Sequence, residues 1–369
     1  MSSSTDPRLP LTILTGFLGA GKTTLLDRVL KDASNGRVAV IVNEFGEAGL
    51  DQDLIHSVDG DVTLMSSGCL CCSVRGELPA TVLRLLEKRE AGNYEFERIV
   101  IETTGLADPS PIFQTIATDP SLARHVRLDG IVTVVDAAHG AQTLDTQFEA
   151  VSQASMADLL ILSKTDLAHP ALADAMVARL KGLNPTAPIR RISRGEVEPS
   201  ALWDLTKTRS EAPMEEAIAW TTERAEPVGL GPLAGLASGL PDFPGASGTA
   251  NLASMLTGSG ATPHDGRISS ASIVLDTPLT DEVFDRWLKT LTALKGRDLL
   301  RVKGIVFLEG IDLPFVFHGV QTIFERPRPL TTWTGDDRRS RIVVIARDMT
   351  RPELQRSLDM LRAQAAPKA

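Results

Sequence analysis

The feature that most constrains this chain is a glycine-rich segment close to its N-terminus. Residues 16–23 read Gly-Phe-Leu-Gly-Ala-Gly-Lys-Thr, which matches the G-x-x-x-x-G-K-[ST] pattern of a phosphate-binding loop. An apolar run at residues 11–15 precedes the segment, and a helical pattern over residues 22–31 follows it. This context of strand, loop and helix is the one in which such a loop binds phosphate, so the segment predicts a nucleotide-binding α/β domain.

Each position of this loop has a predicted contact with the nucleotide. The backbone N–H groups that approach the phosphates belong to a loop that contains Gly16, Gly19, Ala20 and Gly21. Lys22 supplies positive charge to the β- and γ-phosphates, and the Thr23 hydroxyl is the expected Mg²⁺ ligand. Thr24 can reach the α-phosphate, and the N-terminal dipole of the following helix adds to the attraction.

A glutamate at the end of an apolar run is the expected partner of the loop. Residues 98–105 read Arg-Ile-Val-Ile-Glu-Thr-Thr-Gly. Because Mg²⁺ chemistry needs a carboxylate at the end of a neighbouring strand, Glu102 is predicted, with Lys22, to take part in hydrolysis by binding Mg²⁺ or positioning water. Gly105 is predicted to contact the γ-phosphate, so that hydrolysis releases its loop. The alternative interpretation is that Glu102 is an ordinary polar residue at the point where the chain leaves the sheet.

A second polar segment, Ser163-Lys164-Thr165-Asp166, follows the apolar run at residues 159–162. Asp166 can accept two hydrogen bonds from guanine N1 and N2, a pair that adenine cannot supply, and Lys164 would lie along the base. This favours GTP over ATP. The usual motif begins with Asn, where this chain has Ser163, and the alternative is a polar loop whose Asp caps the next helix.

The only three cysteines of the chain, Cys69, Cys71 and Cys72, fall within four positions. This grouping indicates a metal or redox site and not a disulfide framework. In an extended chain Cys69 and Cys71 lie on one face and Cys72 on the other, whereas a turn at Gly68 would bring all three together. Thiolates bind Zn²⁺ and Cu⁺, and three of them leave one position open for transfer. Burial as small apolar residues and a redox switch are the alternatives.

Length and charge limit the classes of function. A chain of 369 residues corresponds to about two domains of roughly 150 residues each. The net charge of −9 disfavours nucleic acid as a main partner, and no apolar run reaches the roughly 18 residues of a membrane span. The polar first ten residues contain no secretory leader pattern, so a cytoplasmic protein without a membrane partner is expected.

The pattern of the N-terminal half predicts a doubly wound, mostly parallel α/β sheet. Apolar runs alternate with helical patterns between residues 8 and 192, as expected for parallel strands covered on both faces. The predicted strands are 11–15, 38–42, 62–65, 99–101, 131–135 and 159–162, and the predicted helices include 22–31, 78–90 and 171–181. The domain assigned to this pattern is 1–210.

Two further regions follow. Residues 211–265 are predicted to be a flexible linker, because their later part is rich in Gly, Pro and Ser. Residues 266–369 are predicted to form a smaller α+β domain with two helices on one face of its sheet. Its predicted strands are 267–275, 299–308, 315–324 and 341–346, and its predicted helices are 281–294 and 352–363.

Four motifs occur in the order found in one family. They are residues 15–26 around the phosphate loop, Val-Asn-Glu-Phe-Gly-Glu at 42–47, Gly-Cys-Leu-Cys-Cys at 68–72 and Glu-Thr-Thr-Gly-Leu-Ala-Asp-Pro at 102–109. Together they closely resemble the CobW-type metallochaperone GTPases, a group that includes the YjiA-like proteins. Residues 300–304 and 317–321 resemble the C-terminal domain of that family, so the resemblance spans nearly the whole chain apart from the linker.

The resemblance implies a GTPase of the SIMIBI class of P-loop proteins. Slow GTP hydrolysis would be coupled to loading or release of a divalent metal, often zinc and in some members cobalt. The Cys-x-Cys-Cys segment matches the family's metal site, and Glu47 matches a position that contributes to metal or magnesium binding in relatives. Lys164 and Asp166 match the guanine-recognition motif. Many members have a histidine-rich tract, but this chain has only six scattered His residues, so the cysteines should provide most of the metal binding.

The expected cofactors are therefore GTP, Mg²⁺ and Zn²⁺, with Co²⁺ as an alternative, and the expected partner is a metal-requiring client protein. The identity of the client is left open, as is the oligomeric state, for which a homodimer is one alternative. Two rival functions also stay open. A small-molecule kinase would leave the cysteines and Asp166 unexplained, and a non-catalytic scaffold would use the cysteines as a structural zinc site.

Overall fold

The computed structural model describes residues 6–31, 37–43, 55–59, 62–65, 70–73, 78–195, 202–203, 205, 214–221, 267–325 and 327–365, and for parts of these ranges it describes the backbone alone. Within them lie two β-sheets. The first occupies the N-terminal part of the chain and the second the C-terminal part.

The N-terminal sheet is mostly parallel. Its strands are β1 (Leu9–Gly16), β2 (Val38–Asn43), β3 (Ile55–Asp59), β4 (Val62–Met65), β5 (Leu70–Ser73), β6 (Arg98–Thr103), β7 (Val126–Asp136), β8 (Leu159–Ser163) and β9 (Ile189–Arg191). They lie in the order β3-β4-β5-β2-β6-β1-β7-β8-β9. The strands from β5 to β9 in this order pair in parallel, whereas β4 pairs antiparallel with both β3 and β5 near one edge.

Helices cover both faces of this sheet. They are α1 (Lys22–Lys31), α2 (Leu78–Glu90), α3 (Ser110–Thr118), α4 (Leu122–His125), α5 (Gly140–Thr146), α6 (Phe148–Met156) and α7 (Pro170–Leu183). Ile99 and Ile101 of β6 pack in one apolar core with α2 and α3, whereas Val100 packs in the other with α1. Because successive strand residues point to opposite faces, a strand that is apolar throughout fits only between two helical layers.

The C-terminal sheet is antiparallel. Its elements are β10 (Ile268–Leu275), β11 (Leu299–Val306), β12 (Phe315–Val320), β13 (Ile323–Phe324), β14 (Arg328–Pro329) and β15 (Ser340–Arg347), with α9 (Asp281–Lys295) and α10 (Arg351–Ala365). The strand order is β10-β15-β11-β12-β13, and β14 also pairs with β12. Residues of α9 and α10 share an apolar core with one face of the sheet, as the alternating pattern predicts.

Local sequence signals fix the ends of the two C-terminal helices. The Thr280 side chain accepts a hydrogen bond from the N–H group of Val283 at 3.2 Å and caps α9. At the start of α10, Glu353 accepts hydrogen bonds from the N–H group and the hydroxyl of Thr350, at 2.7 and 2.8 Å. These bonds hold the pKa of Glu353 below its ordinary value and supply the glutamate half of a capping box.

The second face of the C-terminal sheet packs against the nucleotide-binding part of the chain. Leu300, Val320 and Ile345 lie in the same apolar cluster as Phe113 and Ile116 of α3. A separate helix, α8 (Met214–Thr221), also covers part of this face. The two sheets are therefore joined by a continuous apolar core.

A buried ion cluster lies within this interface. Asp158 follows α6 and is 4% exposed, and it pairs with Arg301 and Lys303 of β11. Arg301 also lies 3.4 Å from Nδ1 of His318, and Nε2 of His318 lies 3.1 Å from the carboxylate of Glu325. Because a buried charge without a partner is costly, this cluster fixes how β11 sits against the end of α6.

The fold class predicted from the sequence is confirmed, and most predicted strands and helices lie where expected. The pattern missed the short strands β3, β5, β9 and β14. The single strand predicted at 315–324 is two antiparallel strands, β12 and β13, because the chain turns back between them. The first part of the predicted linker contains α8, whereas residues 222–265 lie outside the described residues. The boundaries 1–210, 211–265 and 266–369 stay predictions. No helix within the described ranges is both long and apolar enough to cross a bilayer.

Replacing Arg301 tests the buried cluster. In Arg301→Met the carboxylate of Asp158 stays buried and loses its guanidinium partner, so the free energy of unfolding should fall by about 3 kcal/mol. The control is Arg338→Met, which breaks an exposed pair with Asp312 and should cost less than about 1 kcal/mol. Urea unfolding of both variants measures the difference, and equal losses would contradict the account.

Candidate functional site

The phosphate loop connects β1 to α1 at the carboxyl edge of the parallel strands. Gly16 has a φ of 141°, and a Cβ added there would lie 2.3 Å from the carbonyl oxygen of Val134, so only glycine fits against β7. Lys22 is buried and its ammonium group donates to the carbonyl oxygens of Gly16 and Phe17, at 2.8 and 3.4 Å. Two carbonyl oxygens of the loop thus hold the ammonium group of Lys22 within the loop.

The first predicted partner of the loop lies beside it. The Thr23 hydroxyl donates to Oε1 of Glu102 at 2.9 Å, and Glu102 is 6% exposed at the end of β6. A hydroxyl next to a carboxylate is a pair of hard oxygen ligands, which is the donor set that Mg²⁺ requires. Thr23 and Glu102 therefore fit the predicted Mg²⁺ site.

Gly105 is packed directly on the phosphate loop. A Cβ added to Gly105 would lie 2.5 Å from the backbone nitrogen and 2.7 Å from Cα of Leu18. No side chain fits in this space unless the backbone of one loop moves. The Gly105 segment and the phosphate loop are thus in direct backbone contact, so a displacement of one acts on the other. A γ-phosphate sensor needs such an arrangement.

The segment after β8 is also tied to the phosphate loop. The Ser163 hydroxyl donates to the carbonyl oxygen of Ala20 at 2.6 Å, so serine links the two loops at the position where the usual motif has Asn. Lys164 has a φ of 54°, and its ammonium group lies 2.8 Å from Oδ2 of Asp136. These contacts hold Lys164 beside the loop in a backbone conformation that is uncommon for residues other than glycine.

Asp136 is a residue of this site that the sequence interpretation missed. It ends β7, and its Oδ1 accepts hydrogen bonds from the N–H groups of Ala138 and His139, at 2.7 and 3.1 Å. Burial raises the pKa of Asp136, but the hydrogen bonds from Lys164, His139 and Ala138 outweigh it and hold the pKa below its ordinary value. The carboxylate is thus ionised at neutral pH and fixes the Lys164 side chain.

Asp166 lies at the outer end of the same segment, next to a loop that the sequence did not single out. Its Oδ1 accepts a hydrogen bond from the N–H group of Arg194 at 3.3 Å, and Arg194 has a φ of 50°. The dipeptide Arg194-Gly195, with both residues at positive φ, was the available turn signal. Asp166 stays partly exposed, so its carboxylate is accessible to a base.

A cleft of about 200 Å³ lies beside the phosphate loop. The residues that line it come from the loop, the end of β7, helices α5 and α6 and the segment after β8. They include Phe17, Leu18, Asp136, His139, Gln153 and Lys164. The helix that supplies Gln153 is also the one that leads to the C-terminal sheet.

The predicted metal ligands are described only in part. Cys69 and Glu47 lie outside the described residues, and only the backbone is described for Cys71 and Cys72. These two cysteines are consecutive residues of β5, which pairs in parallel with β2 and antiparallel with β4. Among described side chains, no group of three or more His, Cys, Asp or Glu residues forms a metal site.

Fold and loop geometry define the class first: a P-loop nucleotide-binding protein with a second, antiparallel domain. Residues 10–191 match the family described as CobW/HypB/UreG, nucleotide-binding domain. Residues 268–362 match the cobalamin synthesis protein cobW C-terminal domain.

Full-length relatives narrow the class to a family. The chain is 31% identical to the zinc chaperone YjiA of Escherichia coli K12, a match that covers 96% of this chain and 99% of the relative. It is 30% identical to the zinc chaperone CobW of Pseudomonas aeruginosa, with 95% and 91% covered. The crystal structure of Zn(II)-bound YjiA GTPase from E. coli superposes with a TM-score of 0.70 at 29% identity, over 96% of this chain and 99% of that one. The chain therefore belongs to the CobW family of GTPases.

Replacing Lys22 tests the phosphate loop. Loss of the ammonium group in Lys22→Ala should raise the Kd for GTP and for GDP by roughly 10- to 100-fold, because hydrogen bonds to charged groups are the strong ones. The matched control is Lys31→Ala, at the exposed other end of α1. Calorimetric titration with both nucleotides measures the effect, and unchanged affinity in Lys22→Ala would refute the assignment.

Proposed function

We propose that this protein is a GTP-hydrolysing zinc chaperone. It binds zinc at Cys69, Cys71 and Cys72, with Glu47 as a further ligand, and transfers the metal to client proteins. Whether it holds or releases the metal depends on whether GTP or GDP occupies the phosphate loop. The names of the relatives, zinc chaperones of bacteria, support zinc as the cargo.

The observation that carries this proposal is the strand order of the N-terminal sheet. Ile41 of β2 pairs on one side with Cys72 of β5 and on the other with Ile101 of β6. Glu102 is the next residue of β6, and β6 in turn pairs with β1, from which the phosphate loop begins. The cysteine strand is therefore separated by a single strand from the one that ends in the predicted Mg²⁺ ligand.

This order would link metal and nucleotide through backbone hydrogen bonds. The carboxyl ends of β2 and β6 lie at the same edge of the sheet, because the two strands are parallel. GTP and Mg²⁺ bound at that edge would order the Gly105 segment after β6, as in other nucleotide switches. The cysteine strand β5 pairs with β2, which lies next to β6, so its ligand geometry would change with the nucleotide.

The hydrolytic residues follow from the contacts around Thr23. Thr23 and Glu102 would hold Mg²⁺, which neutralises charge on the phosphates when it is bound. Lys22 stabilises the β- and γ-phosphate oxygens, and the Gly105 N–H group contacts the γ-phosphate. Glu102 is the candidate that positions the attacking water. Lys164 and Asp166 bind guanine, with Asp136 and Ser163 holding their segment in place.

Replacing Cys71 tests the metal site. Cys71→Ala removes one thiolate ligand, so the Kd for zinc should rise by more than the roughly 10- to 100-fold that loss of an outer-shell partner causes. Measured in the absence of zinc, GTP affinity should stay within about twofold, because no contact with the nucleotide is assigned to Cys71. The matched control is Ser73→Ala on the same strand. Competition with a chromophoric chelator measures zinc affinity, and an unchanged value in Cys71→Ala would remove the metal assignment.

Replacing Asp166 tests guanine recognition. Asp166→Asn loses one of two acceptors, so GTP affinity should fall roughly 10- to 100-fold. Affinity for xanthosine triphosphate should rise, because the new amide can donate to the xanthine oxygen. The control is Asp174→Asn, an exposed aspartate of α7 paired with Arg191. Equal loss of both nucleotides in Asp166→Asn would indicate that this residue does not contact the base.

A further inference from the structure

Helix α6 (Phe148–Met156) contacts both the Gly105 segment and the C-terminal sheet. Its residue Gln153 is 1% exposed, and the side-chain amide donates to the carbonyl oxygens of Gly105 and Ala107, at 3.2 and 2.9 Å. A flipped amide would set its oxygen against two carbonyl oxygens, so these contacts fix its orientation. Gln153 is thus a clamp across the turn that follows Glu102.

A second contact joins the same helix to the far side of that turn. The Ser110 hydroxyl donates to Oδ1 of Asp108 at 2.6 Å and lies 3.0 Å from Sδ of Met156. Ser110 begins α3 directly after the turn. Residues 105–110 are therefore attached to α6 at both ends, and a displacement of this segment has to move α6 or break buried contacts.

Further side-chain contacts hold the C-terminal end of α6 in place. The side-chain amide nitrogen of Asn184 donates to the carbonyl oxygens of Ala154, Ser155 and Ala157, at 3.0, 3.1 and 2.9 Å. The Thr133 hydroxyl donates to the carbonyl oxygen of Gln153 at 2.9 Å. Since side-chain donors satisfy the last carbonyl groups of the helix, its final turn does not fray.

The chain that leaves α6 reaches the C-terminal sheet within two residues. Oδ2 of Asp158 accepts a hydrogen bond from the N–H group of Ile131 at 3.1 Å, and Oδ1 pairs with Arg301 and Lys303 of β11. One carboxylate thus joins the end of α6, strand β7 and strand β11. Separating Asp158 from these cations would be costly, because it would leave a buried charge without its partner.

We propose that Gln153 is the positioning residue of the γ-phosphate segment and that α6 transmits the state of this segment to β11 through Asp158. The inference rests on the proposed role of Gly105. In the GTP state Gln153 holds the Gly105 N–H group against the phosphate. In the GDP state the released segment shifts α6, and the shift changes the contacts of Asp158 with the C-terminal sheet. The same helix would then couple the nucleotide state, and with it metal transfer to a client, to the second domain.

Nucleotide affinities of the full-length protein test the Gln153 end. Gln153→Glu replaces the donor amide with a carboxylate of the same shape, which repels both carbonyl oxygens. The Kd for a non-hydrolysable GTP analogue should rise about 10-fold relative to that for GDP. Gln153→Met has no charge and no donor, so it should change the ratio of the two dissociation constants in the same way. This second variant keeps the test valid if the glutamate variant does not fold.

The control is Gln142→Glu, which makes the same chemical change at an exposed position of α5. It should leave both affinities as in the wild type. Equal weakening of the analogue and GDP by the Gln153 variants would mean a purely structural role and would overturn the inference, as would unchanged affinities.

Hydrogen exchange tests the Asp158 end. In the wild type and in Gln142→Glu, amides of β11 should exchange at different rates with GDP and with the GTP analogue, and Gln153→Glu should abolish the difference. Identical exchange of β11 in the two states of the wild type would overturn the transmission.

The variant Gly105→Ala distinguishes failure of this inference from failure of the proposed function on which it rests. The added methyl group displaces the turn from Leu18, so preference for the analogue over GDP should be lost. If Gly105→Ala keeps that preference, Gly105 is not the sensor and the proposed function loses its switch. If Gly105→Ala loses the preference and the Gln153 variants keep it, only the positioning role of Gln153 is refuted.

Discussion

The parallel pairing of β1 with β6 on one side and β7 on the other is the constraint from which the whole site follows. Because the carboxyl ends of parallel strands meet at one edge, this pairing brings the phosphate loop, Glu102 and Asp136 together. Hydrogen bonds then complete the assembly, from Thr23 to Glu102 and from Ser163 to the phosphate loop. A shift in this pairing would separate all of these groups at once.

The position of the C-terminal sheet depends on a second feature, the charges buried between the two sheets. Arg301, Lys303 and Asp158 are withdrawn from water in the interface, and a buried ion pair is often no more stabilising than apolar residues of the same size. What it does provide is a defined set of partners. Because its ion pairs have defined partners, the cluster sets the position of the C-terminal sheet against the end of α6. This suits an interface that would respond to a nucleotide bound at the phosphate loop.

The fold was largely predictable because its strongest signals are local. The helices predicted at residues 22–31 and 78–90 have those bounds in the structure, since each has one apolar face. Strand β5 was missed because a segment with consecutive cysteines lacks the β-branched residues by which strands are recognised.

The same contrast separates the predicted site residues from the residues that support them: local sequence marks the first group and does not mark the second. Lys22, Thr23, Glu102 and Gly105 were identifiable because motif spacing specifies them. Asp136, Gln153 and Arg194 were not, because each acts through a contact with a residue distant in sequence. A glutamine in the middle of a helix has no sequence pattern that marks it as a clamp, and only the three-dimensional packing of α6 against the Gly105 turn reveals it.

The central claim is that metal affinity depends on the nucleotide, and the most direct measurement is a zinc titration of the full-length protein in two states. Zinc affinity is determined by competition with a chelator, once with GDP and Mg²⁺ and once with a non-hydrolysable GTP analogue and Mg²⁺. The account predicts two different dissociation constants, because only strand β2 separates the cysteine strand from β6, which leads into the Gly105 segment. Equal zinc affinity in the two states would contradict it.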